Sequence, residues 1–326
     1  MRQRKTVLLF YLLLILVTIV FVNNCSSSGD EAESDEVPAP GGPSDISFWG
    51  YQLQNADPVQ IANSDFDLVV FDYSRTGEAD GEYSSEEITG IKDKKVIPIA
   101  YISIGEAENY RFYWNADWTN NPPEWLGKEN PEWQGNYKVK YWMDGWKSVV
   151  FSYLDRILAQ GYSGVYLDIV DGFEYWADDE IKKDVNLTEE DSAQKMIVFI
   201  KEIAEYCRGV AGKEFMIIPQ NGERIIDYDY KSDFVNAISG IGIEDLFFNE
   251  TDEIAKSEKD FRIGFIDRIK ANDKYVFSVD YVDDGSGYSG KNRDRIDAYR
   301  DLCKKRGYIP YPAISDRELD ELNDLN

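Results

Sequence analysis

Residues 164–168 read Gly-Val-Tyr-Leu-Asp, a short run of strand-forming residues that stops on a carboxylate. The same form recurs five times: Asp67–Asp72 (DLVVFD), Val96–Glu106 (VIPIAYISIGE), Phe215–Glu223 (FMIIPQNGE), Ser239–Glu244 (SGIGIE) and Tyr275–Asp280 (YVFSVD). Parallel α/β folds place their chemistry at the carboxyl ends of their strands, so acids ending successive strands are expected to gather on one face of one sheet. The chain has no histidine. That removes Ser-His-Asp triads, imidazole acid–base work and His-ligated zinc, and leaves carboxylates to carry the chemistry.

Working outward, eight strand-like runs are read at 46–53, 67–73, 95–104, 164–170, 214–221, 236–244, 275–281 and 308–314. Most are apolar throughout and rich in Val, Ile and Tyr, as strands buried on both faces are. Amphipathic segments near 146–160, from 188, at 256–271 and at 291–306 separate the later ones. Thr188-Glu-Glu-Asp191 has the form of a capping box with Asp in place of Glu or Gln. Strand–helix alternation repeated eight times predicts a (β/α)8 TIM barrel over 46–326, with an open doubly wound sheet as the structural alternative. One connection, after strand three, is far longer than a plain loop: from Ala107 to Asp144 it is dense in aromatics, and six of the eight tryptophans lie between Trp114 and Trp146. Long loops of this kind are usually functional, and flat rings with a polar edge suit stacking on sugars. Most of these rings are expected simply to pack the loop onto the barrel rim.

The ends of the chain read differently. Met1-Arg-Gln-Arg-Lys5 is basic, and sixteen uncharged residues follow from Val7 to Val22. That is shorter than the roughly 20 a spanning helix prefers, and it has the layout of an export signal. Cys25, just past it, is the expected lipidation site of a bacterial lipoprotein, although Asn23 and Asn24 replace the small residues usual there. Residues 1–25 are thus a signal, and 26–45 an acidic Ser/Gly/Pro-rich tether. The expectation is an extracytoplasmic protein held to a membrane by lipid, or secreted if Cys25 is not used. The net charge of −26 and the lack of a basic patch argue against nucleic acid as a partner. Cys207 falls on the apolar face of a predicted helix and reads as core.

Two acids flanking a glycosidic bond are the minimum machinery for its hydrolysis. In a barrel Asp168, ending strand four, and Glu223, just past strand five, would be neighbours, and Asn221-Gly222 lets the backbone turn before Glu223. Several blocks, in order along the folded region, resemble glycoside hydrolase family 114. They are Tyr101-Ile-Ser-Ile-Gly-Glu-Ala-Glu108 with Tyr110 and Tyr113-Trp114, Pro131–Tyr137, Gly164–Asp168 with Asp171, Pro219–Glu223, and Gly242–Phe247. The resemblance implies a barrel that hydrolyses α-1,4-linked galactosamine polysaccharide without a cofactor. It further implies Asp168 as nucleophile and Glu223 as acid/base. The surrounding negative charge is expected to hold Glu223 protonated while Asp168 stays ionised, in a retaining mechanism if the two carboxyls lie roughly 5–5.5 Å apart and an inverting one at about 6.5–9.5 Å. Asp72, Tyr73, Glu106, Tyr110, Asp171, Asn221, Glu244 and Asp280 are then expected to line the cleft for a cationic amino-sugar chain. Two rivals stand beside this reading. One is a magnesium site built from Asp168, Glu223 and Glu244, though the Lys or His base that such sites add is not found at a strand end. The other is a surface lipoprotein that binds glycan without cleaving it.

Overall fold

The computed structural model describes residues 46–178, 181 and 185–325. The expected signal, Cys25 and the tether lie outside these residues. Eight parallel strands form the core: β1 (Trp49–Gln52), β2 (Leu68–Asp72), β3 (Ile97–Ser103), β4 (Gly164–Asp168), β5 (Met216–Pro219), β6 (Gly240–Glu244), β7 (Tyr275–Asp283) and β8 (Ile309–Ile314). β1 to β5 are hydrogen-bonded in sequence order, as are β6 to β8. The two arcs meet where Ser239 N–H donates to the Ile217 carbonyl and Asn221 N–H to that of Gly242, both at 2.8 Å. At the other seam the Trp49 indole on β1 donates to the Ile309 carbonyl on β8 at 3.0 Å. This is the TIM-barrel architecture, and all eight expected strands are present.

The barrel interior is aromatic. Trp49 stacks near Tyr51 and Tyr166 (6.0 and 6.2 Å between ring centres) and meets Phe277 and Tyr311 at 5.4 and 5.7 Å. These rings are fully buried, and such burial contributes roughly 1.5–3 kcal/mol for a large side chain. Helices cover the outside: α1 (Pro58–Ala62), α2 (Ser85–Asp93), α3 (Asp144–Gln160), α4 (Gly172–Ala177), α5 (Glu189–Ala211), α6 (Asp233–Ala237), α7 (Lys256–Lys270) and α8 (Gly290–Arg306). The Thr188–Asp191 capping box starts α5, and Ala193, Met196, Ile197, Ile200, Ala204 and Cys207 form its buried face. Ser84 and Glu87 make a second such box on α2. Cys207 and Cys303 are both free and buried.

The long connection after β3 folds back on itself as a three-stranded antiparallel sheet, Glu106–Glu108, Asn136–Val139 and Leu126–Glu129 in spatial order. A ladder of rings seats it on the barrel: Trp114, Trp118, Trp125 and Trp146 follow one another at 5.2, 5.0 and 5.1 Å. The Trp146 indole donates to the Ile104 carbonyl at the top of β3 at 2.8 Å. Packing therefore accounts for most of the tryptophans.

Candidate active site

Register brings the strand ends to one rim. Asp72 pairs with Tyr101, Ser103 with Asp168, and Glu244 with Val279. Above this rim lies a cleft of about 660 Å³ whose lining includes Tyr51, Asp72, Tyr101, Glu106, Glu108, Tyr110, Asp168, Asp171, Gln220, Asn221, Glu244, Tyr281 and Arg317.

Asp168 ends β4 with both oxygens held. Its Oδ2 accepts from the Tyr101 hydroxyl at 2.5 Å and its Oδ1 from the Ile169 amide at 2.8 Å. Ile169 reaches that position at φ 57°, a left-handed conformation that is strained for a β-branched residue. Gly105 makes room for it, since a side chain at 105 would run into Ile169. Burial pushes the Asp168 carboxyl up to about 7, against the pull of those two hydrogen bonds and helped by the negative charges of Asp171 and Glu244.

Glu244 ends β6 and faces the same cleft. Gln220 Nε2 donates to its Oε2 at 3.1 Å, and the Tyr281 hydroxyl donates to its Oε1. Gln220 is itself oriented by the Tyr51 hydroxyl, which donates to its Oε1 at 3.2 Å. Burial holds the Glu244 carboxyl above the usual range, with Asp245 adding to the effect. Beneath the pair lies Tyr166, whose ring sits so close over Gly242 that any side chain at 242 would collide with its hydroxyl.

Glu223 is placed otherwise than expected. The backbone turns at Asn221 and Gly222 (φ 56° and 66°), and Glu223 opens a 3-10 turn, Glu223–Tyr228. Its Oε1 accepts from Arg262 Nε of α7 at 2.5 Å, and Arg262 also binds the carbonyls of Glu244 and Asp245 at 3.0 and 2.8 Å. The Glu223 side chain is buried in this ion pair and is not among the residues that line the cleft. The trio that a magnesium site would draw on is therefore not gathered in the cleft.

Two further expectations are corrected. Asp280 is 0% exposed: its Oδ1 accepts from Leu246 N at 2.9 Å, and its Oδ2 from Phe247 N and Phe248 N at 2.8 Å each. It anchors the loop after β6. Strand alternation gives the cleft to its neighbour Tyr281 instead. Tyr73 is likewise buried, its hydroxyl donating to the Gly77 carbonyl at 2.9 Å. Asp72, Tyr110, Asp171 and Asn221 do line the cleft. Glu106 lies in its wall, fully buried, with Asn130 and Lys138 on its Oε1.

Sequence reasoning missed Arg111, the buried cation of the site. It grips Asp72 through Nη1 at 2.7 and 2.8 Å and Glu108 through Nε at 2.6 Å. The one available signal was a base three residues after an acid in Glu108-Asn-Tyr-Arg111. Arg317 is paired with Asp245 and Arg75 with Glu87. Among the described residues the cations lining the cleft are thus engaged, while Asp168, Asp171 and Glu244 face it with no basic partner in hydrogen-bond contact.

A TIM barrel whose strand-end carboxylates line one open cleft defines the class of carboxylate-dependent barrel enzymes. The sequence matches the profile of glycoside-hydrolase family GH114 over residues 30–325. The chain belongs to that family and, with it, to the glycosidases. It is 52% identical over 276 residues to an uncharacterized protein of Methanocaldococcus jannaschii, covering 85% of this chain and 78% of that one. An uncharacterized protein of Thermotoga maritima is 46% identical over 312 residues, covering 96% and 92%. Among solved structures, the glycoside hydrolase domain of PelA from Pseudomonas aeruginosa superposes with a TM-score of 0.62 at 16% identity, over 85% of this chain and 97% of that one. Aspergillus fumigatus Ega3 in complex with galactosamine gives 0.61 at 17%, over 87% and 97%. These two likenesses bear on the fold.

Proposed function

We propose that this glycosidase hydrolyses an amino-sugar polysaccharide, α-1,4-linked galactosamine, through Asp168 and Glu244. The observation that carries the reading is the joint placement of these two carboxyls at the ends of β4 and β6, in one cleft whose cations are engaged by other acids. Free ammonium groups on the sugar would find acceptors there and form charge-assisted hydrogen bonds. The solved complex of Ega3 with galactosamine supports the same sugar class.

In the first step an Asp168 oxygen attacks the anomeric carbon while the bond to the leaving oxygen breaks, and Glu244 gives that oxygen its proton. Water then attacks the glycosyl–Asp168 ester, Glu244 takes the water proton, and Asp168 leaves as carboxylate. Burial raises the Glu244 carboxyl above the usual range, the direction a proton donor requires. An ammonium group arriving beside Asp168 would lower its raised pKa and favour the attacking form. The role expected of Glu223 passes to Glu244, because the Glu223 carboxylate is engaged by Arg262 within the wall. The leader and Cys25 support an extracytoplasmic, lipid-tethered setting, where such a polysaccharide would be met.

The test is incubation with partially deacetylated polygalactosamine, reading products by mass spectrometry beside the Asp168→Asn protein. Oligosaccharides released by the wild type alone support the reading. No release from galactosamine polymers of any degree of acetylation would overturn it.

A further inference from the structure

Of the six tryptophans grouped in and just after the long connection, five pack against the core or against one another. Trp133 does not. It is 64% exposed, and it lines the cleft. Tyr110, from the start of the same connection, is 45% exposed and also lines it. A large ring turned to water at a cleft loses the burial that its neighbours gain.

The backbone that carries Trp133 is held firmly. Asn130 N–H donates to the Asn136 carbonyl at 2.7 Å, and Trp133 N–H to that of Asn130 at 3.2 Å. Gly135, at φ 91°, donates its amide to Glu129 Oε1 at 2.8 Å. Asn130 Nδ2 reaches the buried Glu106 at 2.9 Å, which ties the turn to the end of β3. Glu106, itself among the residues lining the cleft, thereby fixes the turn that displays the ring. Tyr110 is pinned as well: its hydroxyl donates to Glu108 at 2.6 Å, and the Arg111 guanidinium lies over its ring at 5.0 Å.

We propose that Trp133, aided by Tyr110, is a stacking platform for a sugar unit other than those joined by the bond being cleaved. The platform would take the apolar C–H face of a pyranose, which complements an indole, and would make longer chains the better substrates. The proposal rests on the polysaccharide reading above and adds a subsite to it.

The experiment compares Trp133→Ala and Trp133→Phe with wild type on a galactosamine hexamer and on an aryl galactosaminide, after matched circular dichroism. Trp133→Ala is expected to lower kcat/KM on the hexamer about ten-fold and leave the aryl glycoside unchanged, with Trp133→Phe recovering most of the loss. An unchanged hexamer rate, or an equal fall on both substrates, would overturn the platform. Binding separates this from the function itself. The Asp168→Asn protein should bind the hexamer, and adding Trp133→Ala should weaken binding by a similar factor. Undiminished binding in the double variant refutes the platform alone. Failure of Asp168→Asn to bind any galactosamine oligomer refutes both the platform and the polysaccharide reading.

Discussion

Asp280→Asn separates a structural acid from a catalytic one. The Asp280 carboxylate receives three backbone amides, at 2.8–2.9 Å, from the loop after β6. An asparagine has a single acceptor oxygen. With that oxygen in the Oδ2 position two amides remain bonded, and the new NH2 group faces the Leu246 amide, donor against donor. The flipped amide loses two bonds. A hydrogen bond to a charged group contributes about 1.5–3 kcal/mol, and an unsatisfied buried donor costs about 1–3 kcal/mol more. Relief of the buried charge offsets part of this, which leaves a loss of about 3 kcal/mol. For a domain of this size that is a fall of roughly 5 °C in Tm. The assay is thermal unfolding by circular dichroism, well above the pH at which Asp280 titrates. Asp168→Asn serves as contrast: its oxygen can accept from the Ile169 amide while its NH2 donates to the Tyr101 hydroxyl, the buried charge beside Glu244 and Asp171 is removed, and the variant should melt at or above wild type. If Asp280→Asn melts within about 1 °C of wild type, the anchoring role is wrong.

Arg111→Met leaves Asp72 and Glu108 buried without their cation, and is expected to cost about 3–5 kcal/mol in urea unfolding. Gly242→Ala drives a methyl into the Tyr166 hydroxyl under the cleft, and should destabilise by about 1–3 kcal/mol while lowering kcat. The pH dependence of stability follows from Asp168, whose folded pKa of about 7 stands above the ordinary 3.8. The folded chain keeps this proton longer than the unfolded one, so the group stabilises at low pH and loses that contribution as pH rises to about 7. Asp284, lowered to about 2, acts only below its ordinary value. Tm should therefore fall between about pH 5 and pH 8, and a rise across that window would contradict the burial argument.

The barrel was legible because its strands are apolar on both faces and separated by amphipathic runs, signals that depend on local pattern alone. Asp168 was legible for the same reason, as the last residue of a clean strand. The partner was not. Glu223 and Glu244 both follow strand-like runs, and the choice between them turns on Arg262, an α7 residue 39 positions after Glu223. Asp280 and Tyr281 are adjacent, and only the register of β7 says which one meets the cleft. Arg111 was hidden because its partner Asp72 ends β2, 39 residues earlier. The aromatic loop divided in the same way: composition announced a cluster of rings, and the fold left Trp133 alone among its tryptophans exposed.

The proposed pairing of Asp168 with Glu244 rests on their shared cleft. It is tested most directly by the kcat of Asp168→Asn, Glu244→Gln and Glu223→Gln on polygalactosamine, with each protein's fold verified. Loss of at least about a thousand-fold in the first two, with Glu223→Gln retaining activity within about ten-fold of wild type, is the predicted result. Full activity in Glu244→Gln together with an inactive, folded Glu223→Gln would contradict it.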